Sequence, residues 1–346
     1  MARDLRLALV GFGHVGRRFA ELLTGRYGRV LRAHGVRPRV TGIATGRHGL
    51  TIDPDGLDLR RCLRLVRSEG SLDALHRGPR PLTVSGFIGR VPADVLIEVT
   101  TLDPQRGEPA TSHVRAALTR GLDVVTANKG PVAFALRPLR ALAERKRRLF
   151  LHEGAVMDGT PVFNMVERCL PGARLLGFRG TLNSTTNLIL SRMEEGLTAA
   201  AGLRESQSLG VAEADASHDL DGWDSAVKGC ALANALLGAA VTPDHVRRRG
   251  IRAISPRDVR RALAESTRLR LVVRGRRDGR QVRVTVRPER IPLGDPLAGS
   301  GPDAALVLET DVMGEIGVFE RGATVDQTAY ALLSDLIEVV RSGRRR

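Results

Sequence analysis

Residues 5–16 read LRLALVGFGHVG: an apolar run of strand length that ends directly in a GxGxxG turn. Behind the turn, Val15, Phe19, Leu22 and Leu23 recur at i, i+4, i+7 and i+8, the spacing of one helix face. A strand, a glycine turn and a helix in that order open a parallel βα unit of the dinucleotide-binding kind. Gly11 permits the tight turn, Gly13 lets backbone approach a pyrophosphate, and Gly16 allows close helix–strand packing. The first N–H groups of the helix then face the phosphates at the positive end of its dipole. Gly11, Gly13, His14, Val15 and Gly16 are therefore the candidate cofactor contacts.

The end of the second strand decides between NAD and NADP, because an acid there binds the ribose 2′-hydroxyl of NAD. That strand spans about 39–45, and no Asp or Glu occurs between Glu21 and Asp53. It runs instead into Thr45, Gly46 and Arg47, a bare loop whose arginine suits a 2′-phosphate. NADP is the expected preference, with NAD as the alternative.

Further along, 93–100 reads as a strand, 111–121 as a helix with a Thr/Ser start and a Gly stop, 122–127 as a strand and 131–147 as a helix. Alternation of this kind predicts a Rossmann-type, doubly wound α/β domain over 1–150. Residues 148–156 cross into a second α/β domain over 151–320, with helices after Pro161, over about 184–209 and over 223–237. Strands are expected near 174–182, 269–275, 281–287, 304–311 and 315–319, and a last helix near 323–341, in the segment 321–346, returns to the first domain.

A net charge of +16 invites a nucleic-acid reading, but only three of the 54 basic residues are lysine, a bias spread along the whole chain rather than a binding stripe. Aromatics are 3%, few for a surface that stacks bases, so neither nucleic acid nor membrane is an expected partner. Cys62, Cys169 and Cys230 lie far apart with no paired spacing, which suits a reducing cytoplasm better than a disulfide scaffold. The N-terminal apolar run is too short and too charged for a signal peptide.

Where arginine is so strongly preferred, the surviving lysines carry information. Lys129 closes VVTANKGP at the carboxyl end of a predicted parallel strand, where open α/β sheets bind ligands. Lys228 follows Glu213, Asp215, Asp219, Asp221 and Asp224, and Asp224 and Lys228 share a helix face at i, i+4. The helix continues as GCALANALLG, apolar nearly all round, so its charged start should face a cleft rather than solvent. An amine can give up and recover a proton where a guanidinium cannot, and burial is expected to lower its pKa towards neutrality.

Seven segments in order, GFGHVG, ADVLIEVT with GEPATSHVRAAL, VVTANKGP, GAVMDGTPVF, GTLNSTTNLIL, LGVAEADASHDLDGWDSAVK and QTAYALLSDL, make the chain resemble the homoserine dehydrogenase family almost end to end. The resemblance implies oxidation of L-homoserine to L-aspartate 4-semialdehyde with NAD(P), or the reverse, in threonine and methionine synthesis. It implies that Lys228 and Lys129 are the proton-transfer lysines, with Asp224 orienting Lys228, and that Glu213 and Asp219 hold the substrate's amino group. Asn183, Ser184 and Thr185 would line the substrate pocket, and Thr100, Asn128, Lys129 and Gly322 would add cofactor contacts. The loop holding Glu153, Val156, Asp158 and Thr160 resembles the family's monovalent-cation loop, a site for sodium. A homodimer pairing its substrate domains is also implied.

Three departures stand out: Ser184 replaces a glycine, Val211 a tyrosine, and the late GPGAG loop reads Glu320-Arg321-Gly322-Ala323-Thr324. These keep open a related oxidoreductase acting on another small amino acid or aldehyde. A non-catalytic nucleotide-binding regulator or basic DNA-associated protein has no need of both lysines. The chain ends soon after its last predicted helix, so the family's C-terminal regulatory domain, and threonine feedback through it, are expected to be absent.

Overall fold

The computed structural model describes residues 2–279 and 281–343; the basic tail 344–346 lies outside the described residues. The first sheet holds β1 (Arg3–Val10), β2 (Val36–Ala44), β3 (Leu50–Ile52), β4 (Val95–Glu98), β5 (Asp123–Thr126) and β6 (Phe150–Leu151). Their order is β3-β2-β1-β4-β5-β6, parallel throughout except that β3 folds back antiparallel on β2. Both faces are covered by α1 (His14–Leu23), α2 (Arg26–Ala33), α3 (Leu59–Arg67), α4 (Val84–Arg90), α5 (Ala110–Arg120) and α6 (Lys129–Lys146). β1 and β4 therefore read as near-continuous apolar runs, as strands buried on two faces must.

The second unit begins with α7 (Val162–Cys169), β7 (Leu175–Thr181), α8 (Ser184–Glu194), α9 (Ala199–Ser208), α10 (Ser217–Leu220) and α11 (Trp223–Leu236). β8 (Arg247–Arg248), α12 (Pro256–Ala264), β9 (Thr267–Asp278), β10 (Gln281–Pro292), β11 (Ala304–Thr310) and β12 (Glu315–Glu320) follow. Its sheet is ordered β12-β11-β7-β9-β10-β8 and is antiparallel except at β8. Alternation along β11 shows its two faces. Ala304, Leu306 and Leu308 join the core under the helices, whereas Ala305 and Val307 join a smaller cluster on the other side.

The span read as helical over 184–209 is two helices. Gly196 turns left-handed at φ +96°, and Thr198 caps the next helix by accepting from the Ala201 N–H. α6 is kinked at Ala135, because Pro138 lacks an N–H and its ring crowds the carbonyl one turn earlier. Asn234 of α11 donates to the Val132 and Ala133 carbonyls beside that kink, at 3.3 and 3.0 Å, a buried bond between the two units.

A last helix, α13 (Val325–Gly343), returns to the first unit. Ala329, Leu332, Leu333, Leu336, Val339 and Val340 lock into the core formed by β1, β4 and α1. Among the described residues no helix is long and apolar enough to cross a membrane.

Candidate active site

Two βα crossings build the first wall. Gly11 sits at φ +99°, and a Cβ there would fall 2.5 Å from the Val99 carbonyl carbon; one at Gly16 would fall 2.6 Å from the Gly11 oxygen. Gly13, the N-cap of α1, is exposed, carries no side-chain cap and has nothing within 4 Å of a hypothetical Cβ. The turn thus combines close packing on its inner side with an open cradle and free N–H groups on its outer side, which fits a pyrophosphate. His14 is exposed on it, and Val15 lines the cleft beyond.

At the ends of β4 and β5, Glu98 is fully buried and organises the neighbouring loops. Its carboxylate accepts from the Thr100 N–H at 3.1 Å, from the Thr100 hydroxyl, and from the Thr126 hydroxyl at 3.1 Å. Asn128 donates to the Thr100 carbonyl at 2.9 Å and caps α6 by accepting from the Gly130 N–H at 2.8 Å. That cap fixes Lys129 as the first residue of α6, and its side chain crosses to the second unit.

The second wall is Asp224 and Lys228 on successive turns of α11, a helix buried nearly all round. Asp224 Oδ1 lies 3.3 Å from Lys129 Nζ, and Asp224 Oδ2 lies 3.0 Å from Lys228 Nζ. Lys228 also donates to the Leu182 carbonyl at 2.6 Å. Asn183 donates to Asp224 at 3.0 Å and to Asp219 at 2.7 Å, while its own oxygen caps α8 at the Thr186 N–H. Thr185 bonds the Val211 carbonyl at 3.3 Å, and Ser184 is the half-buried first residue of α8.

Burial opposes charge on Asp224, but Lys228, Lys129 and Asn183 outweigh it and hold the carboxyl far below its ordinary range. Burial, then the Asp224 charge, pushes Asp219 up instead. For Lys228 the expectation from sequence is corrected. Burial is the largest single influence and pulls its pKa down, yet Asp224, Asp158 and Asp219 together raise it above the ordinary lysine value. The ammonium is clamped rather than poised near neutrality.

A cleft of about 200 Å³ lies between the walls, lined by Val15, Thr100, Asn128, Lys129, Asp158, Lys228 and Thr328 among others. Other predicted residues stand apart from it. Glu213 is exposed on the loop after α9, where its carbonyl accepts from Gln207. Gly322 is exposed, at φ +60°. Arg47 is exposed on the turn after β2, without a hydrogen bond or ion pair among the described residues. Asp73 is folded in beside that turn, but its carboxylate is spent on the Leu50 N–H and on Arg80.

The loop read as a cation site divides similarly. Glu153 is buried and accepts from the Phe163 and Asn164 N–H groups at 2.9 and 2.8 Å, so its carboxylate is committed to the start of α7. The Thr160 carbonyl already accepts from the Val162 N–H at 2.8 Å, and Val156 is buried. Asp158 alone turns into the cleft, where Thr328 donates to it at 3.0 Å. Sequence reading passed over Glu98, the Leu182 carbonyl and Thr328 because each acts through tertiary placement. Only the position of Glu98 at a strand end offered a signal.

A family model described as "Homoserine dehydrogenase, NAD binding domain" matches residues 11–153, and one described as "Homoserine dehydrogenase" matches residues 161–337. The chain is 37% identical to the NAD(+)-dependent homoserine dehydrogenase of Pseudomonas canavaninivorans, over 99% of this chain and 98% of that one. It is 34% identical to the homoserine dehydrogenase of Methanocaldococcus jannaschii, over 98% and 99%. Among solved structures, a homoserine dehydrogenase from Thiobacillus denitrificans matches with a TM-score of 0.83 at 27% identity, covering 99% of this chain and 75% of that one. A hyperthermophilic archaeal homoserine dehydrogenase in complex with NADPH matches with a TM-score of 0.82 at 26% identity, covering 98% of each.

Proposed function

This chain belongs to the homoserine dehydrogenase family, and from that membership we propose that its cleft interconverts L-homoserine and L-aspartate 4-semialdehyde, in threonine and methionine biosynthesis. The observation that carries the reading is the shared carboxylate: two lysines from different units converge on Asp224 at 3.3 and 3.0 Å, at the edge of the cleft beside the glycine turn. Bound there, a nicotinamide dinucleotide supplies or accepts the hydride. Gly11, Gly13, His14, Val15 and Gly16 hold its pyrophosphate side, and Thr100, Asn128, Lys129 and Gly322 its far side.

The chain's own task is to place the substrate and manage one proton. Lys228, held charged by Asp224, donates that proton to the oxygen on which negative charge develops as aldehyde becomes alcohol. Lys129 sits on the same carboxylate and adds positive charge beside that oxygen. Asp219, Asn183, Ser184 and Thr185 border the substrate's polar end, and Glu213, on the loop after α9, is the further acid the family resemblance assigns to it. In the oxidative direction Lys228 must first lose its proton, so its raised pKa places that limb of the pH profile in the alkaline range. A coupled assay is expected to show NADP reduction with L-homoserine that climbs with pH through 9, whereas a profile already flat at neutrality contradicts the clamped ammonium. Run in sodium and then in a large organic cation, the same assay tests whether a monovalent ion on the carbonyls of the Val156–Thr160 loop assists binding.

Lys228→Arg keeps the charge but supplies a group that does not deprotonate. It is expected to lose at least about a hundredfold in kcat, within the range for a general acid–base group; turnover near that of the unaltered enzyme defeats the proton role.

NADP is the preferred dinucleotide in this reading, because the turn after β2 offers Arg47 while the acid beside it, Asp73, is already spent. Arg47→Ala should raise KM for NADP about tenfold and leave KM for NAD within twofold, roughly the effect of one exposed phosphate contact. Equal changes remove the assignment. The family resemblance further supports a homodimer through the second sheet, and light scattering of the purified chain should give about twice the 37.4 kDa chain mass; a single-chain mass rejects it.

A further inference from the structure

Val99, Thr100, Ala127, Asn128 and Lys129 line the cleft from the two loops that leave β4 and β5. Glu98, the last residue of β4, stands behind them with its side chain fully buried. Its Oε1 accepts from the Thr100 N–H at 3.1 Å and from the Thr100 hydroxyl, and its Oε2 accepts from the Thr126 hydroxyl at 3.1 Å. Thr126 Oγ1 in turn accepts from the Asn128 N–H at 3.0 Å, and Asn128 reaches back to the Thr100 carbonyl at 2.9 Å. These bonds close a ring through Glu98, Thr126, Asn128 and Thr100. Lys129 leaves the ring directly, as the residue that the Asn128 cap sets at the start of α6. On the other side, the Val99 N–H donates to the Val10 carbonyl at 2.8 Å, and Gly11 packs against the Val99 carbonyl. The glycine turn and Lys129 are thus joined through one buried acid.

Holding the two strands together does not require this ring. β4 and β5 are already in parallel register with Glu98 opposite Thr126, a ladder of backbone groups that does not depend on the side chains. A buried carboxylate is moreover a costly residue for a strand end. Among the described residues no lysine or arginine pairs with Glu98, and His113 Nδ1, at 3.6 Å from Oε1, makes no hydrogen bond. What the side chain supplies is a pair of acceptors at a fixed place. The Thr100 N–H has left the ladder and is satisfied by Oε1 instead of a backbone carbonyl. The second wall is built separately: Asn183, Asp219, Asp224 and Lys228 bond one another and the Leu182 carbonyl, and meet these loops only at the Lys129–Asp224 pair.

We infer that Glu98 is a positioning residue for dinucleotide binding and, through Lys129, for turnover, acting by the hydrogen bonds it accepts and touching neither reactant. The inference rests on the dinucleotide and homoserine reading above. With Thr100 and Asn128 held as one unit against the glycine turn, the surface that meets the far side of the dinucleotide is set before the cofactor arrives. Lys129 starts from the same unit, so a displaced loop moves its ammonium away from Asp224 and from the oxygen whose charge changes. Because the second wall has its own supports, loss of Glu98 acts on the dinucleotide and on kcat and spares the affinity for the amino-acid substrate.

The test pairs two measurements on the full chain: NADPH binding followed by nicotinamide fluorescence, and steady-state kinetics with L-homoserine. Glu98→Leu is close in size but offers no acceptor, so it leaves the Thr100 N–H unsatisfied. It should raise Kd for NADPH and KM for NADP about tenfold and lower kcat about tenfold, the scale of one buried donor left without a partner. KM for L-homoserine should stay within about threefold. Glu98→Gln should restore NADPH binding to within about threefold of the unaltered chain, because its amide oxygen can serve Thr100 while its NH2 donates to Thr126 Oγ1. Thr126→Val removes the link to Asn128 without changing shape; it should raise Kd for NADPH about threefold to tenfold, and it carries the test if Glu98→Leu does not fold. Binding by a folded Glu98→Leu within about threefold of the unaltered chain, a Glu98→Gln as defective as Glu98→Leu, or a loss confined to KM for L-homoserine would each overturn the inference. An unaltered chain that binds NADPH but does not oxidise homoserine refutes the substrate reading instead, and the binding measurements still decide the role of Glu98.

Discussion

Asp224 pairs with two ammoniums delivered by different parts of the chain, one on the first residue of α6 and one a turn along α11. A half-buried carboxylate facing two half-buried amines is favourable when all three are paired, because any one left alone would carry an uncompensated desolvation cost. The triad therefore fixes the distance between the two units at the point where they meet. Asn183 and the Leu182 carbonyl take up the remaining valences of Asp224 and Lys228, which ties α11 to the end of β7 and the start of α8. Truncating any member would leave a charge buried without its partner. The geometry is in this sense set collectively.

The scaffolding serves that meeting point from both sides. α6 begins at the triad and packs along α11, and the carbonyls near its kink are taken up by Asn234. α13 comes from the end of the second unit, locks six apolar side chains into the first, and places Thr328 on Asp158 at the cleft. The chain thus crosses between its units near Glu153 and again before α13, so the cleft is bounded at both crossings. The glycine turn needs no such support, since its shape follows from Gly11 and Gly16 packing against β4 and against each other.

Local pattern carried the first unit well. The strand, turn and helix at residues 5–23 and the strand ends at Glu98 and Thr126 follow from apolar runs and glycine chemistry that act within a few residues. The stretch from 46 to 92 went unread, although Asp58 caps α3 and Leu59, Cys62, Leu63 and Val66 recur at i, i+3, i+4 and i+7 with arginines on the opposite face, a period that was legible. β9 and β10 run longer than their apolar cores suggest, because arginines are interspersed along both; Arg270 is even buried, paired with Glu194 and the Gly299 carbonyl. The lysines were conspicuous by rarity, and the family's motifs named their neighbours. What no local rule could supply was electrostatic balance. Burial of Lys228 was foreseeable from the apolar helix around it, but the raised pKa depends on Asp158 and Asp219 as well as Asp224, and they come from three different elements.

Several costs of folding meet around the cleft. Two consecutive left-handed residues, a carboxylate shared by two amines and a buried acid without a partner all lie within its walls or directly behind them. Stability alone would relieve two of them: glycine at 157 and 158 would remove strain, and an apolar residue at 320 would remove an unpaired oxygen. Their coincidence at one cleft is the pattern expected where binding, not folding, sets the residue. A ligand bound in the cleft would return part of that cost as affinity, since the groups it meets are already desolvated and oriented before it arrives.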